Sequence, residues 1–360
     1  MTDRIARARS AMSSKGVDLL AVAPSDDLRY LLGFSPTADE RPCMLLVGAD
    51  RELFVVPSLN AEQARAAVPD VELSTWADEE GADSALGAAV AALGRPRRVA
   101  VDATMRADFL LLLRRFVGDA ELTTATVVVG ELRLRKDAAE LEALEASART
   151  ADTAMEAALA ACAAGASELA IAEAAASSFR RAGCEDVLFT SVASGPNGGF
   201  PHHHSSARAL QRGDGVTIDI GGRLAGYPSD LTRTAHVGEP SERYAQVHAV
   251  VEEAVQAGLA AARPGATCGS VDLAAREVIA AAGFGDYFVH RTGHGLGVSG
   301  HEPPWIMAGD ERRLEPGMVF SIEPGIYVPN ELGVRLEEIV VLEEHRARIL
   351  SALPRDLTIV

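Results

Sequence analysis

The chain has 360 residues, with 34 Lys and Arg against 51 Asp and Glu, giving a formal net charge of −17. Hydrophobic residues make up 48% and charged ones 24%, a globular composition that excludes a disordered or fibrous chain. The acidic balance argues against a nucleic-acid binder, and with Lys15 and Lys136 as the only lysines there is no polybasic membrane or localisation tract.

The start, Met1 to Arg9, is charged and lacks the apolar core of a secretory signal. Residues 1 to 130 alternate short apolar runs with helical patterns. Strands are predicted at Asp18–Ala23, Met44–Val47, Leu53–Val56, Val71–Thr75, Arg98–Asp102 and Leu122–Val129, with helices at Ala61–Ala67, Ser84–Leu93 and Ala107–Phe116. Such alternation predicts an α/β domain with a mixed sheet. It has no glycine-rich phosphate loop and no clustered His, Asp or Glu, so no chemistry of its own is expected there.

A break at Gly130–Lys136 separates this region from a second domain, 131–360. Asp137-Ala-Ala-Glu140 has the form of a capping box opening a long helix. Thr153–Ser178 is Ala-rich but carries Glu156, Glu168 and Glu173, which predicts two packed helices and not a bilayer span. Ala163-Ala-Gly165-Ala-Ser167 is echoed 100 residues later by Arg263-Pro-Gly265-Ala-Thr267, and Ala182-Gly183 by Ala282-Gly283. Residues 137–235 and 241–343 therefore read as two copies of a helix-helix-strands unit facing each other across a cleft. The four cysteines (Cys43, Cys162, Cys184, Cys268) are isolated, which suits small buried thiols in a reducing cytoplasm.

Each copy contains a hairpin with two carboxylates in apolar strands. In the first, Asp219 and Asp230 are symmetric about a turn centred between Leu224 and Ala225, so regular pairing would set them directly opposite. In the second, Glu323 and Glu337 are symmetric about Asn330. A solvated strand face could account for one such hairpin but not both. A proton-sharing pair, as in acid proteases or glycosidases, accounts for two carboxylates but not four. Two divalent cations would balance all four and leave room for a bridging hydroxide, with oxygen-rich ligation favouring a hard ion such as Mn²⁺ at a spacing of about 3.5–4 Å.

Histidines supply nitrogen. His294 lies between Gly293 and Gly295, which permit close backbone approach, and His301 follows seven residues on. The Gly295-x-Gly297-x-x-Gly300 string matches a dinucleotide fingerprint only formally, because Pro303 and Pro304 forbid the helix that motif needs. In Pro201-His202-His203-His204, one histidine is expected in the site and the others in solvent.

The ordered strings Ile218-Asp219-Ile-Gly221, Ser229-Asp230-Leu-Thr232-Arg-Thr234, Gly293-His294-Gly295, His301-Glu302-x-Pro304, Ile322-Glu323-Pro-Gly325 and Gly333-Val-Arg335-Leu-Glu337 resemble the Xaa-Pro dipeptidase (prolidase) and aminopeptidase P family of metallopeptidases. Asp27-Leu-Arg-Tyr30-Leu-Leu-Gly33-Phe34 resembles that family's N-terminal domain more weakly. The resemblance implies an α+β chain: a C-terminal pita-bread fold of pseudo-two-fold αα-β repeats behind an N-terminal α/β creatinase-like domain.

It implies metal ligands Asp219, Asp230, His294, Glu323 and Glu337, none missing, which disfavours creatinase-like members and a binding module that has lost catalysis. It further implies two divalent ions per chain, Mn²⁺ first and Co²⁺ or Zn²⁺ as alternatives. A bridging hydroxide would attack the carbonyl of an Xaa–Pro bond, with Glu323 shuttling its proton and His301 and His202 binding substrate and stabilising the oxyanion. Thr232 shares a strand face with Asp230, and Arg335 with Glu337, so both would orient a ligand, while Glu338 points away.

Trp305 stands where several prolidases carry an arginine for the dipeptide carboxylate. Its flat ring suits a proline ring or longer peptide, and Arg312 and Arg313 are the nearby candidates to replace the missing charge. Both a dipeptidase and an aminopeptidase P acting on longer peptides, or another amide hydrolase on the same scaffold, remain open. A cytoplasmic homodimer is expected, with no nucleic-acid or membrane partner.

Overall fold

The computed structural model describes residues 2–360. The chain divides into two compact units between Arg133 and Leu134. In the first, β1 (Leu19–Val22), β2 (Met44–Val47), β3 (Glu52–Pro57), β4 (Glu72–Trp76), β5 (Arg98–Val101) and β6 (Glu121–Thr124) form one sheet in the order β4-β3-β2-β1-β5-β6. Antiparallel pairs β1–β2 and β2–β3 combine with parallel pairs β1–β5, β3–β4 and β5–β6, so the sheet is mixed as expected. Helices α1 (Thr2–Lys15), α2 (Asp26–Leu32), α3 (Ala61–Ala67), α4 (Asp83–Leu93), α5 (Ala107–Val117) and α6 (Val129–Arg133) complete the unit.

One predicted strand is too long. Leu122–Val129 ends as a strand at Thr124 and continues as a helical turn into α6. Ala125, Val128 and Val129 are fully buried, and that spacing is helical, so the apolar run reflects a different period from the one assumed.

The second unit repeats an αα-β pattern. The first copy has α7 (Ala138–Ala161), α8 (Glu168–Arg181), β7 (Asp186–Ser194), β8 (Gly215–Leu224), β9 (Tyr227–Pro228) and β10 (Leu231–His236). The second has α9 (Glu242–Ala261), α10 (Cys268–Ala281), β11 (Gly293–Gly295), β12 (Glu302–Ile306), β13 (Val319–Ile322), β14 (Gly325–Val328), β15 (Leu332–Arg335) and β16 (Glu338–Leu342). The expected capping box opens α7: Asp137 Oδ1 accepts from the Glu140 amide at 2.9 Å, and Glu140 Oε2 from the Asp137 amide at 3.1 Å.

The repeat extends to backbone detail. N-caps Ser167 and Thr267 have φ/ψ of −85°/153° and −85°/150°. Gly165 N–H donates to Leu210 O and Gly265 N–H to Leu314 O, each at 2.8 Å. Each copy buries its own apolar cluster, one around Ile171, Phe179 and Ile218, the other around Val251, Ile279 and Phe320. The Gly295–Gly300 stretch joins strands β11 and β12 with no helix, so no dinucleotide loop forms.

The first hairpin departs from the expected register by two residues. Ala225 and Gly226 both take positive φ (50° and 83°), the two-residue turn whose twist suits a hairpin. Asp219 therefore pairs with Thr232, and Asp230 lies just before β10. The two aspartates still share a face but lie diagonally, which relieves the repulsion of directly opposed like charges. The second hairpin keeps its expected register around Asn330, with Ile322 opposite Glu338 and Gly325 opposite Arg335. Glu323 and Glu337 sit where that ladder is interrupted, and their amides bond elsewhere, Glu323 N–H to Thr292 O at 2.8 Å and Glu337 N–H to Thr232 O at 3.3 Å.

Arg233, 1% exposed, ties the two copies and the C-terminal tail together. It donates to Glu337 O at 2.6 Å, Glu338 Oε1 at 2.9 Å, Leu353 O at 2.6 Å and Pro354 O at 2.8 Å. Glu338 thus points away from the cleft, as its strand position predicts. Among the described residues, no helix is long and apolar enough to cross a membrane. Arg233→Met strips buried backbone carbonyls of a donor while Arg355 still pairs with Glu338, and is expected to destabilise the protein by about 1–3 kcal/mol. Urea unfolding checks it; a loss below about 1 kcal/mol would contradict this account.

Candidate metal centre

His294 is placed by strand β11, whose glycines leave no room for a side chain. A Cβ at Gly293 would lie 2.0 Å from Ser321 O, and one at Gly295 2.3 Å from Pro303 O. The close approach expected of these glycines is therefore to neighbouring strands β13 and β12. Ser321 Oγ accepts from the His294 amide at 2.9 Å and donates to Glu323 Oε1 at 3.0 Å. His294 Nδ1 lies 3.1 Å from Gly295 O; as the donor there, it leaves the Nε2 lone pair facing Glu323 Oε1 at 3.2 Å and Asp230 Oδ2 at 3.6 Å.

The carboxylates of both copies meet at this imidazole. Three overlapping groups each offer ligand atoms within 4.8 Å of one another: Asp219, Asp230 and Glu337; His294, Glu323 and Glu337; Asp230, His294 and His301. They line a cavity of about 680 Å³ together with His202, His203, His204, His290, Arg291 and Arg335.

The props cross between the copies. Thr232 Oγ1 donates to Glu337 Oε2 at 2.8 Å, and Arg335 Nη2 to Asp219 Oδ2 at 2.6 Å. Each of the two residues bonds a carboxylate from the opposite hairpin, not the neighbour on its own strand face. Arg335 also donates to the Tyr327 hydroxyl at 2.9 Å, and His290 Nε2 lies 2.9 Å from that oxygen.

Charge in this cluster is unbalanced. Burial, and then the charge of neighbouring carboxylates, pushes Asp230 and Glu337 well above the usual carboxylate range. Asp219 is raised by burial, with Arg335 opposing it. Glu323 goes the other way, to about 2: burial would raise it, but His294, His290 and Arg335 together outweigh burial. Burial, and then His294, lowers His301 to about 4. Asp219 Oδ1 and Glu337 Oε1 are buried without a hydrogen-bond donor. Two orphaned acidic oxygens beside an imidazole lone pair fit bound cations, and the oxygen-rich donor set fits hard divalent ones.

Sequence reasoning misplaced several wall residues. Trp305 does not line the cavity; its ring packs under Arg291, whose guanidinium carbon lies 4.3 Å from the ring centroid. Neither Arg312 nor Arg313 lines the cavity, and Arg313 Nη1 donates to Gly265 O at 2.7 Å. His202 and His204 are exposed at the cavity, but His203 does not face solvent, because its Nε2 lies 2.9 Å from Glu168 Oε2. His301 lines the wall with its ring centroid 3.7 Å from that of His294.

Glu168 is one of the residues that sequence reasoning missed, with His290 and Arg291 of the cavity wall. Fully buried on α8, it accepts from the amides and hydroxyls of Ser194 and Ser206 and from Asn197 Nδ2. These bonds hold its carboxyl at about 2 against the opposing effect of burial. Glu168 thereby shapes the 194–206 loop that carries His202. In sequence it is one of several acidic residues on an Ala-rich helix, and no local signal separates it from them.

Comparison with known proteins places this geometry. Residues 142–344 match metallopeptidase family M24, and residues 4–135 match the Creatinase/Prolidase N-terminal domain. The chain belongs to metallopeptidase family M24, and its αα-β repeat is that family's pita-bread fold. It is 38% identical over 363 residues to a probable dipeptidase PepE of Mycobacterium tuberculosis, covering 99% of this chain and 96% of that one. It is 32% identical over 360 residues to an Xaa-Pro dipeptidase of Pyrococcus furiosus, covering 99% of this chain and 100% of that one. The crystal structure of dipeptidase PepE from Mycobacterium ulcerans superposes with a TM-score of 0.94 at 39% identity, over 100% of this chain and 97% of that one. Membership of a metallopeptidase family implies divalent metal.

Thr232→Val removes the donor to Glu337 while keeping the side-chain shape. It is expected to weaken divalent-metal binding roughly 10–100-fold with little change in unfolding midpoint. Calorimetric titration of chelator-treated protein with Mn²⁺ measures this; unchanged affinity would refute the role of that hydroxyl.

Proposed function

We propose that this protein is an Xaa–Pro dipeptidase using two divalent cations held by Asp219, Asp230, His294, Glu323 and Glu337. The observation that carries the reading is the gathering of four carboxylates from two hairpins into one cluster with His294, two of their oxygens lacking any donor among the described residues. Substrate class is supported by relatives that include an Xaa-Pro dipeptidase matching along the whole chain. Bound cations would supply an activated water and polarise the scissile carbonyl.

The protein's own groups complete the chemistry. Glu323, steadied by Ser321, is placed to hold a proton at a carboxylate oxygen and return it to the departing proline nitrogen. His301 and His202, on the cavity wall, would donate to the substrate carbonyl oxygen as negative charge develops there. Thr232 and Arg335 act by holding Glu337 and Asp219 in place.

In the same reading residues 131–360 form the catalytic domain and residues 1–130 a creatinase-like domain without chemistry of its own. Oxygen-rich ligation favours Mn²⁺, with Co²⁺ or Zn²⁺ able to substitute. Free cysteines, three of them buried, suit a cytoplasmic protein, and a homodimer is the proposed assembly.

Two measurements test this. With Mn²⁺ present, Ala-Pro is expected to be cleaved and Ala-Pro-Ala left largely intact; the reverse preference would establish an aminopeptidase P instead. Asp219→Asn should leave the fold intact by circular dichroism and lower kcat on Ala-Pro by about a thousandfold or more. Retained activity would refute the ligand set.

A further inference from the structure

Trp305 occupies the position where the resemblance led to an arginine, and the wall facing substrate would then lack a cation. The structure provides one from elsewhere. Arg291 lines the cavity, its guanidinium lies over the Trp305 ring at 4.3 Å, and its Nη2 is 3.4 Å from His301 Nδ1. Among the described residues no carboxylate pairs with it. The cavity's other guanidinium, Arg335, is buried and committed to Asp219 and Tyr327.

We propose that Arg291, braced on Trp305, binds the C-terminal carboxylate of the dipeptide and so decides the length of peptide this enzyme accepts. The inference rests on the dipeptidase reading and deepens it. An arginine fork matches a carboxylate in a bidentate way and also stacks on aromatic faces. Trp305 restricts the fork to one plane before substrate arrives, which lowers the ordering cost of binding.

Glu323, His294, His301 and Arg291 form a chain of contacts of 3.2 Å, 3.7 Å between ring centroids, and 3.4 Å. Arg291 therefore stands two imidazole layers from the acid cluster. A dipeptide's carboxylate lies one residue beyond its scissile carbonyl, about 3.3–3.6 Å of extended chain. Because Arg291 and the acid cluster line the same cavity, a dipeptide whose carbonyl sits at the acids presents its terminal carboxylate on the wall that carries the guanidinium. Trp305 thus acts through Arg291, and the charge absent from position 305 enters the wall from position 291.

The test compares Ala-Pro with its C-terminal amide on metal-loaded wild type, Arg291→Ala and Arg291→Lys. Wild type is expected to favour the free acid, mostly through KM. Arg291→Ala should lower kcat/KM for Ala-Pro roughly 10–100-fold, with the amide changed by less than about threefold. Arg291→Lys should restore part of the preference. An undiminished preference for the acid in Arg291→Ala would overturn the proposal.

Calorimetric binding of an uncleavable Ala-Pro analogue with a reduced peptide bond, and of its amide, gives a second readout free of turnover. If wild type cleaves neither substrate the dipeptidase reading fails, whereas the analogue still decides Arg291: loss of acid-over-amide discrimination in the alanine variant supports its role, and retained discrimination refutes it.

Discussion

Four carboxylates from two hairpins cluster in a largely buried cleft, three of them (Asp230, Glu323 and Glu337) within reach of the His294 imidazole, and among the described residues one guanidinium, that of Arg335, is hydrogen-bonded to the cluster. Carboxylates so placed cannot all ionise unless positive charge is supplied. The upward displacement of Asp219, Asp230 and Glu337 expresses that deficit in the protein alone. Cations relieve it, and the surrounding architecture keeps the acids from relieving it by moving apart.

Duplication is how the chain meets that requirement. A single αα-β copy offers two carboxylates on one hairpin, too few to hold a pair of divalent ions. Crossing hydrogen bonds join the copies: Thr232 of one holds Glu337 of the other, and Arg335 returns the support to Asp219. Arg233 adds carbonyl contacts to Glu337 and to the C-terminal tail. Site geometry and the cohesion of the two copies therefore rest on the same few bonds, so metal binding should couple to folding stability.

The rest of the cavity wall is built differently. His202, His301 and Arg291 come from irregular segments, and each leans on a residue carried by a neighbouring helix or strand. Glu168 organises the loop of His202, His294 stacks against His301, and Trp305 underlies Arg291. A rigid strand-borne acid cluster thus faces a wall whose character depends on loop residues, the usual division between scaffold and specificity.

Legibility followed the range of the interactions. Mixed sheet, capping box, two-copy repeat and second-hairpin register are local or periodic properties, so strings such as Asp137-Ala-Ala-Glu140 and the glycines near Ser167 and Thr267 carry them. The first hairpin was displaced by two because either of two adjacent residue pairs could close the turn, and the positive φ of Ala225 and Gly226 chose one. Residue types at the acid cluster were equally readable, since four acids in apolar strands are anomalous wherever the strands go. Glu168, His203 and Arg291 were not, because a buried hub, its imidazole partner and a stacked guanidinium look like ordinary polar residues until the chain brings their partners to them. Composition and spacing determined which chemistry the chain can hold; packing between distant segments alone decided which charges meet and which line the cavity.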